Sequence, residues 1–336
     1  MTKRLAEVAK KAGVSEATVS RVLNGRSGVS EATRASVLTA LDVLGYERPT
    51  KLRGERGRLV GLVLPELQNP IFPALAEVVT ASLAQRGFTP ALCARTIGGV
   101  PERDYIEMLL DHQVSGVVFA GGSYALADAE HGHYKQLLDR RMPVVMVNGG
   151  VDDLGFPHIS TDDAVAVEQA YGHLRSLGHE RIGMVLGPED HVPSRRKLAA
   201  IAEAGGWTDP VEQWPVERTT FSMESARLAA TRLIQRGITA LICASDVLAL
   251  GSIRAARRLG LDVPADVSVV GFDDSALMTC TDPPLTTVRQ PIELMGQAAV
   301  DVLVKQIEGA AASTDELLFE PELVVRGSTA PAPSRS

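Results

Sequence analysis

The sequence predicts a small all-helical head followed by a two-lobe α/β body of the doubly wound kind, and three observations predict it. The first 58 residues read as three short helices and a Gly/Pro-punctuated connector. From residue 59 onward, short apolar runs alternate with amphipathic stretches in two successive series. The charge also divides between the two parts. Residues 1–58 hold twelve Lys and Arg against six Asp and Glu, whereas the rest holds the other 22 of 34 basic residues and the other 35 of 41 acidic ones. A basic head on an acidic body is the pattern expected when only the head meets a polyanion.

Composition sets the outer limits. With 336 residues, 45% hydrophobic and 22% charged, the chain has an ordinary globular balance, which excludes a disordered or collagen-like protein. No apolar run approaches the roughly 18 to 20 residues that a bilayer span needs. The opening MTKRLAEVAKKAG mixes charge with apolar residues where a signal peptide would have an apolar core. A cytoplasmic location is expected. Cys93, Cys243 and Cys280 lie far apart without a Cys-x-x-Cys or a His/Cys cluster, so no disulfide framework, metal or other cofactor is expected.

In the head, Leu5, Val8, Ala9 and Ala12 fall at helical spacing and Gly13 stops the first helix. Ser15 is a good N-cap for a second helix, Glu16 suits its positive first turn, and Val19, Val22 and Leu23 form its apolar face up to Asn24-Gly25. Three residues between two such helices match the turn of a helix-turn-helix, whose second helix lies in the major groove. A third helix runs from the N-cap Ser30 through Val37, Leu41 and Leu44 to Gly45 and completes a three-helix core. A helix presents positions 16, 17 and 21 outward while 19, 22 and 23 turn inward. The domain boundaries expected are 1–47 for the DNA-binding head, 48–58 for a hinge, 59–328 for the body and 329–336 for a disordered tail.

The string EVAKKAGVSEATVSRVLNGRSGVSEATRASVLTALDVLGY resembles the lactose-repressor (LacI/GalR) family of bacterial transcription regulators. The resemblance implies that Glu16, Ala17 and Arg21 face base edges. Thr18, Ser20 and Asn24 are placed for phosphates, which position a helix without reading sequence, and the N-cap Ser15 stands beside them as a further DNA-binding candidate. It also implies that the hinge RPTKLRGERGR becomes a short helix on DNA, with Leu52 from each subunit wedged into the minor groove between Lys51 and Arg53. Here the stretch is about three residues shorter than the family pattern and lacks its Ala-Arg-x-Leu. Gly54 and Gly57 each lower helix propensity by roughly 1 kcal/mol. A flexible basic tether contacting phosphates alone is the other reading.

In the body, the runs at 59–64, 89–94, 116–120 and 143–147 alternate with helical stretches near 72–86, 101–112 and 131–140. A second series at 181–186, 240–244 and 266–272 is interleaved with helices near 163–177, 194–204, 223–236 and 246–259. Such alternation means two parallel sheets covered by helices, and two facing sheets form a ligand cleft at the carboxyl ends of their strands.

The family resemblance continues to about residue 328 in NPIFPALAEVV, GHERIGMVLGP, ASDVLALGSIRAARRLGLDVPADVSVVGFDD and PPLTTVRQP, which look like the type I periplasmic sugar-binding fold. It implies three crossings between lobes, with a helix over 291–308 returning to the first lobe and a strand near 321–326 to the second. It also places Phe72, Asn148, Lys197, Phe221, Ser245, Asp246 and Asp273 at effector-contact positions. Asp273 and Lys197 supply charge-assisted hydrogen bonds, and Phe72 or Phe221 a stacking face for a pyranose. Alternative readings remain for three of them: Phe72 as core, Asp246 as a helix N-cap and Asp273 as a turn former.

No Gly-x-Gly-x-x-Gly, Walker, Gly-x-Ser-x-Gly or His-Glu-x-x-His motif occurs, and the adjacent pairs Asp162-Asp163 and Asp273-Asp274 point apart without a nucleophile. An enzyme is not expected, and a sugar-binding protein without DNA specificity would have no use for Arg21. The reading is a DNA-binding transcriptional regulator, a repressor, controlled by a sugar-like effector in the cleft. A homodimer on a palindromic double-stranded operator is expected, because the chain ends at PAPSRS without a heptad run after Val325 and one head makes too few contacts for a unique site.

Overall fold

The computed structural model describes residues 2–23, 28–44, 58–96, 98–151, 154–205 and 214–333. Three helices form the head: α1 (Thr2–Ala12), α2 (Glu16–Leu23) and α3 (Glu31–Val43). Gly13 ends α1 at φ 68°, a left-handed conformation that costs glycine nothing, and Val14 N–H closes the turn on Ala9 O at 3.0 Å. Ser15 Oγ then accepts from Thr18 N–H at 3.1 Å, and Ser30 Oγ caps α3 in the same way through Thr33 N–H at 3.2 Å. Val8, Val19, Val22, Val37 and Leu41 meet in the buried core of this unit.

The body holds two six-stranded sheets. In chain order the first lobe contributes β1 (Leu59–Leu64), α4 (Ile71–Gln85), β2 (Thr89–Ala94), α5 (Glu102–Asp111), β3 (Gly116–Phe119), α6 (Gly132–Asp139), β4 (Val144–Val147) and β5 (His158–Thr161). The second contributes α7 (Asp163–Ser176), β6 (Ile182–Leu186), α8 (Val192–Gly205), β7 (Val216–Arg218), α9 (Met223–Gln235), β8 (Ala240–Cys243), α10 (Asp246–Arg258), β9 (Ser268–Asp273) and β10 (Thr286–Arg289). Then α11 (Ile292–Ile307) and β11 (Glu316–Phe319) return to the first lobe, and β12 (Glu322–Val324) ends in the second. The strand orders are β11-β5-β4-β3-β1-β2 and β12-β10-β9-β8-β6-β7.

The three expected crossings are therefore present, at 161–163, 289–292 and 319–322. Met295, Ala299, Val300 and Leu303 seat α11 against Val60, Leu62, Val118 and Val145 of the first core. Burial on both faces explains the near-continuous apolar strands, since a sheet covered by helices has no solvent face to mark with polar residues. β12 pairs antiparallel with β10, while the pairs β1–β3, β3–β4, β4–β5, β5–β11, β6–β7, β6–β8, β8–β9 and β9–β10 are parallel.

The expected disordered tail is instead tied to the second lobe through Thr329, Ala330 and Ala332. Ala330 N–H donates to Ser268 Oγ at 3.1 Å, Ala332 N–H to Leu177 O at 2.9 Å, and Thr329 Oγ1 lies 2.9 Å from His173 Nε2. Small and proline-rich residues suggest a free end, but here the backbone finds partners on the second lobe, and buried His179 meets Ala330 O at 3.1 Å. Residues 334–336, and 48–57 of the expected hinge, lie outside the described residues.

Candidate functional site

On the head, α2 carries the first surface. Ser15, Glu16, Ala17 and Arg21 are exposed, whereas Val19 and Val22 are fully buried and fix the helix to α1 and α3. Thr18 and Ser20 are half-buried, and the Thr18 hydroxyl shares a hydrogen bond with Ser15 Oγ at 2.8 Å. Asn24, Lys51, Leu52 and Arg53 lie outside the described residues.

The second site is a cleft of about 750 Å³ between the lobes, walled by the segments that follow the strand ends. Six of the seven expected residues line it: Phe72, Asn148, Lys197, Phe221, Ser245 and Asp273. Asp246 does not. It lies fully buried behind the wall, where Oδ1 accepts from Thr287 Oγ1 at 2.6 Å and Oδ2 from Ser275 N–H at 2.7 Å. Burial pushes its carboxyl up to about 6. Nor is it the N-cap of α10. That place belongs to Ser245, whose Oγ accepts from Leu248 N–H at 3.2 Å. Gly271 makes room for the Asp246 carboxylate, since a Cβ there would stand 2.5 Å from Oδ1.

Lys197 is not free to act as a lone cation. Its ammonium is ion-paired with buried Asp163 at the start of α7 and sits 3.9 Å from the centroid of the Phe272 ring. Burial raises the Asp163 carboxyl, and the Lys197 charge opposes that rise. Asp273 is likewise engaged. Its Oδ1 accepts from Gln290 Nε2 at 2.7 Å and its Oδ2 from Asn69 Nδ2 at 3.4 Å, while Gln290 Oε1 accepts from Asn148 Nδ2 at 3.2 Å and Thr161 Oγ1 at 2.8 Å. One carboxylate of the second lobe is thus tied through two amides to three strand ends of the first. Burial and the neighbouring Asp246 push the Asp273 carboxyl well up.

Sequence reasoning missed Asn69, Thr161, Asp163, His191 and Gln290. Asn69 and Gln290 were within reach, because Gln290 stands directly after β10 inside PPLTTVRQP and Asn69 in the loop from β1 to α4 inside NPIFPALAEVV. His191 lines the second-lobe wall, its Nδ1 2.9 Å from Ser194 Oγ and its ring edge-on to Phe221 at 5.0 Å. Burial, with the Lys197 and Arg218 charges, pushes it down to about 3, so the imidazole is neutral at pH 7.

In the first lobe, Gly122 lets the chain turn close over Glu102, and Gly121 lets it pass against Pro65 and Phe72. That buried carboxylate accepts from Ser123 N–H at 3.3 Å and from the Tyr134 hydroxyl, and meets His133 Nε2 at 3.2 Å. Burial raises the Glu102 carboxyl, but the His133 and Tyr134 bonds outweigh it and leave it ionised. Across the mouth of the cleft, Ala127 N–H donates to Asp190 O at 2.8 Å and Arg196 pairs with Glu316 at 2.7 Å.

Comparison with known families places both units. Residues 4–49 match the bacterial regulatory proteins of the lacI family, and residues 171–329 match a periplasmic binding protein-like domain. Over nearly its full length the chain is 52% identical to the HTH-type transcriptional regulator MalR of Streptomyces coelicolor, covering 99% of this chain and 98% of MalR. The chain belongs to the LacI family.

A more distant LacI-family relative, the transcriptional repressor CytR of Escherichia coli, is 32% identical over 97% of this chain and 96% of its own. Among solved LacI-family structures, the CelR–cellobiose complex superposes with a TM-score of 0.70 at 32% identity, covering 96% of this chain and 99% of that one. The lac repressor dimer bound to operator and the anti-inducer ONPF gives 0.71 at 30% identity, covering 96% and 98%. These LacI-family relatives are transcriptional regulators, and this chain is a regulator and not an enzyme. Among the described residues no helix is long and apolar enough to cross a membrane, and no His, Cys, Asp and Glu group could hold a metal ion.

Proposed function

We propose that this regulator is a cytoplasmic repressor that binds a two-fold symmetric operator as a homodimer and changes its DNA affinity when a carbohydrate effector occupies the inter-lobe cleft. The observation that carries the reading is the cleft itself, lined by the strand ends of both lobes in a chain that also presents Glu16, Ala17 and Arg21 on α2. Phe72 and Phe221 offer apolar faces, while Asn148, Gln290 and Thr220 offer neutral donors and acceptors, a set suited to hydroxyl-rich rings. The structural relatives support it further, because one was solved with cellobiose and another with ONPF and operator.

An effector shifts DNA affinity only by its differential affinity for two lobe arrangements. Since β1 follows the hinge in sequence, rotation of the first lobe would change the separation of two hinges in a dimer. The test is a gel shift with the DNA upstream of the protein's own operon, with and without mono- and disaccharides. No shifted complex on that DNA would overturn the repressor reading, and a complex insensitive to every sugar would overturn the effector reading. Sedimentation equilibrium at micromolar concentration should give a dimer, and a tetramer would refute the assembly.

Arg21 carries a quantitative expectation. Arg21→Ala should weaken binding to the cognate site by about 1–3 kcal/mol and to random DNA far less, because it removes a base contact and little else. Lys51→Ala or Arg53→Ala should weaken both alike. Equal losses on the two DNAs for Arg21→Ala would show that it touches only phosphate.

A further inference from the structure

In a doubly wound body the helices that follow parallel strands start at the cleft, and their positive ends attract anions. Here the buried starts are already answered by carboxylates: Glu102 in the first turn of α5, Asp163 in that of α7 and Asp246 in that of α10. Where α4 lacks an acidic residue, Ile71 N–H donates to Asn69 Oδ1 at 3.4 Å. Where α8 lacks one, its approach is the neutral ring of His191, bonded to Ser194.

The cations facing the cleft are also committed. Lys197 is held by Asp163 and by the Phe272 ring, and Arg95, half in solvent, stands 3.9 Å from Glu102. Among the described lining residues, Glu66, Asp163 and Asp273 set three carboxyl groups against these two. An entering anion would find these helix starts already faced by a carboxylate, an amide oxygen or a neutral imidazole and both lining cations beside a carboxylate, and would share a half-dry space with the Asp163 carboxylate.

The geometry points to a cleft that takes only uncharged ligands: a neutral polyhydroxylated molecule is admitted, and the same molecule bearing a carboxylate or a phosphate is rejected. The inference rests on the carbohydrate reading above and narrows it. The choice lies in charge, not in ring shape, so a uronate, in which a carboxylate replaces a CH₂OH of similar size, is excluded along with the bulkier sugar phosphate.

Isothermal titration calorimetry on the full chain tests this with glucose, galactose, maltose and cellobiose, each set against its uronate and its 6-phosphate. For any sugar that binds, the charged partners should bind at least about 100-fold more weakly, the size expected of one like-charge pair at roughly 6 Å in a half-buried site. Asp163→Asn removes one carboxylate charge and leaves the Lys197 charge unbalanced, so the gap should narrow by about tenfold; a thermal melt shows that the variant is folded. A uronate or phosphate bound as tightly as its neutral parent overturns the inference and leaves the carbohydrate reading intact. So does a gap unchanged in folded Asp163→Asn, which would make size the cause. If no member of the panel binds in either charge state, the carbohydrate reading fails and the inference with it.

Discussion

Lys197→Met should destabilise the body by about 3–5 kcal/mol at neutral pH, because it leaves the Asp163 carboxylate buried without its counter-charge. Methionine fills most of the volume and can lie on the Phe272 ring, so lost charge pairing outweighs lost packing. Asp163→Asn should cost less, since its amide oxygen still accepts from the ammonium. The double variant Asp163→Asn/Lys197→Met should recover most of the loss, as a buried pair replaced on both sides leaves no lone charge.

The pH dependence of Lys197→Met has a definite sign. In the wild type the Asp163 carboxyl is already raised above its ordinary 3.8 by burial, with Lys197 opposing, and removing the ammonium raises it further. A raised acid holds its proton more tightly folded than unfolded. The penalty is therefore absent below pH 3.8, where both states are protonated, and grows as pH rises toward the folded value. Urea unfolding of the body transition at pH 5 and pH 8 should show a larger deficit against wild type at pH 8. A deficit that does not change between the two would mean that the carboxylate finds another partner.

What the sequence made legible follows from which interactions are local. Helix stops and caps in the head depend on neighbours within four residues, so Gly13, Ser15 and Ser30 could be read directly. The long strands of the two sheets carry uninterrupted apolar runs. By contrast β5, β7 and β10 carry polar side chains such as His158, Ser160, Thr286 and Thr287 within three or four residues, so no apolar run marks them. The Thr286 and Thr287 hydroxyls find partners 40 or more residues away: Thr287 on Asp246, and Thr286 on Thr329.

The cleft divides in the same way. The family resemblance pointed to Phe72, Asn148, Phe221 and Asp273, and all four line the cleft. Position could not show that Lys197 turns to Asp163 or that Asp246 turns away, because both choices depend on partners from other strand ends. Periodicity gives which face a residue occupies, not which of two nearby carboxylates claims a cation.

The last expectation joins the two sites. Asp273→Ala should abolish the effector-linked change in operator affinity, collapsing a coupling of about 1–3 kcal/mol to near zero. Without effector the same variant should bind operator within about threefold of wild type. The reason lies in what each contact holds. The Ala127–Asp190 and Arg196–Glu316 contacts still join the lobes when Asp273 is gone, so the unliganded arrangement keeps other supports. The response, however, needs a ligand contact that differs between lobe arrangements, and Asp273 is the cleft carboxylate whose two oxygens meet Asn69 of the first lobe and Gln290 of the crossing. A hydroxyl sharing or displacing those donors changes the link between lobes. Gln290→Ala leaves the carboxylate but cuts its path to Asn148 and Thr161, and should reduce coupling while retaining part of the sugar affinity. Operator titrations at fixed sugar concentrations on the three proteins give the coupling from the ratio of affinities. An Asp273→Ala protein with the full wild-type response would place the effector elsewhere, and a Gln290→Ala protein with unchanged coupling would show that the amide link only holds structure.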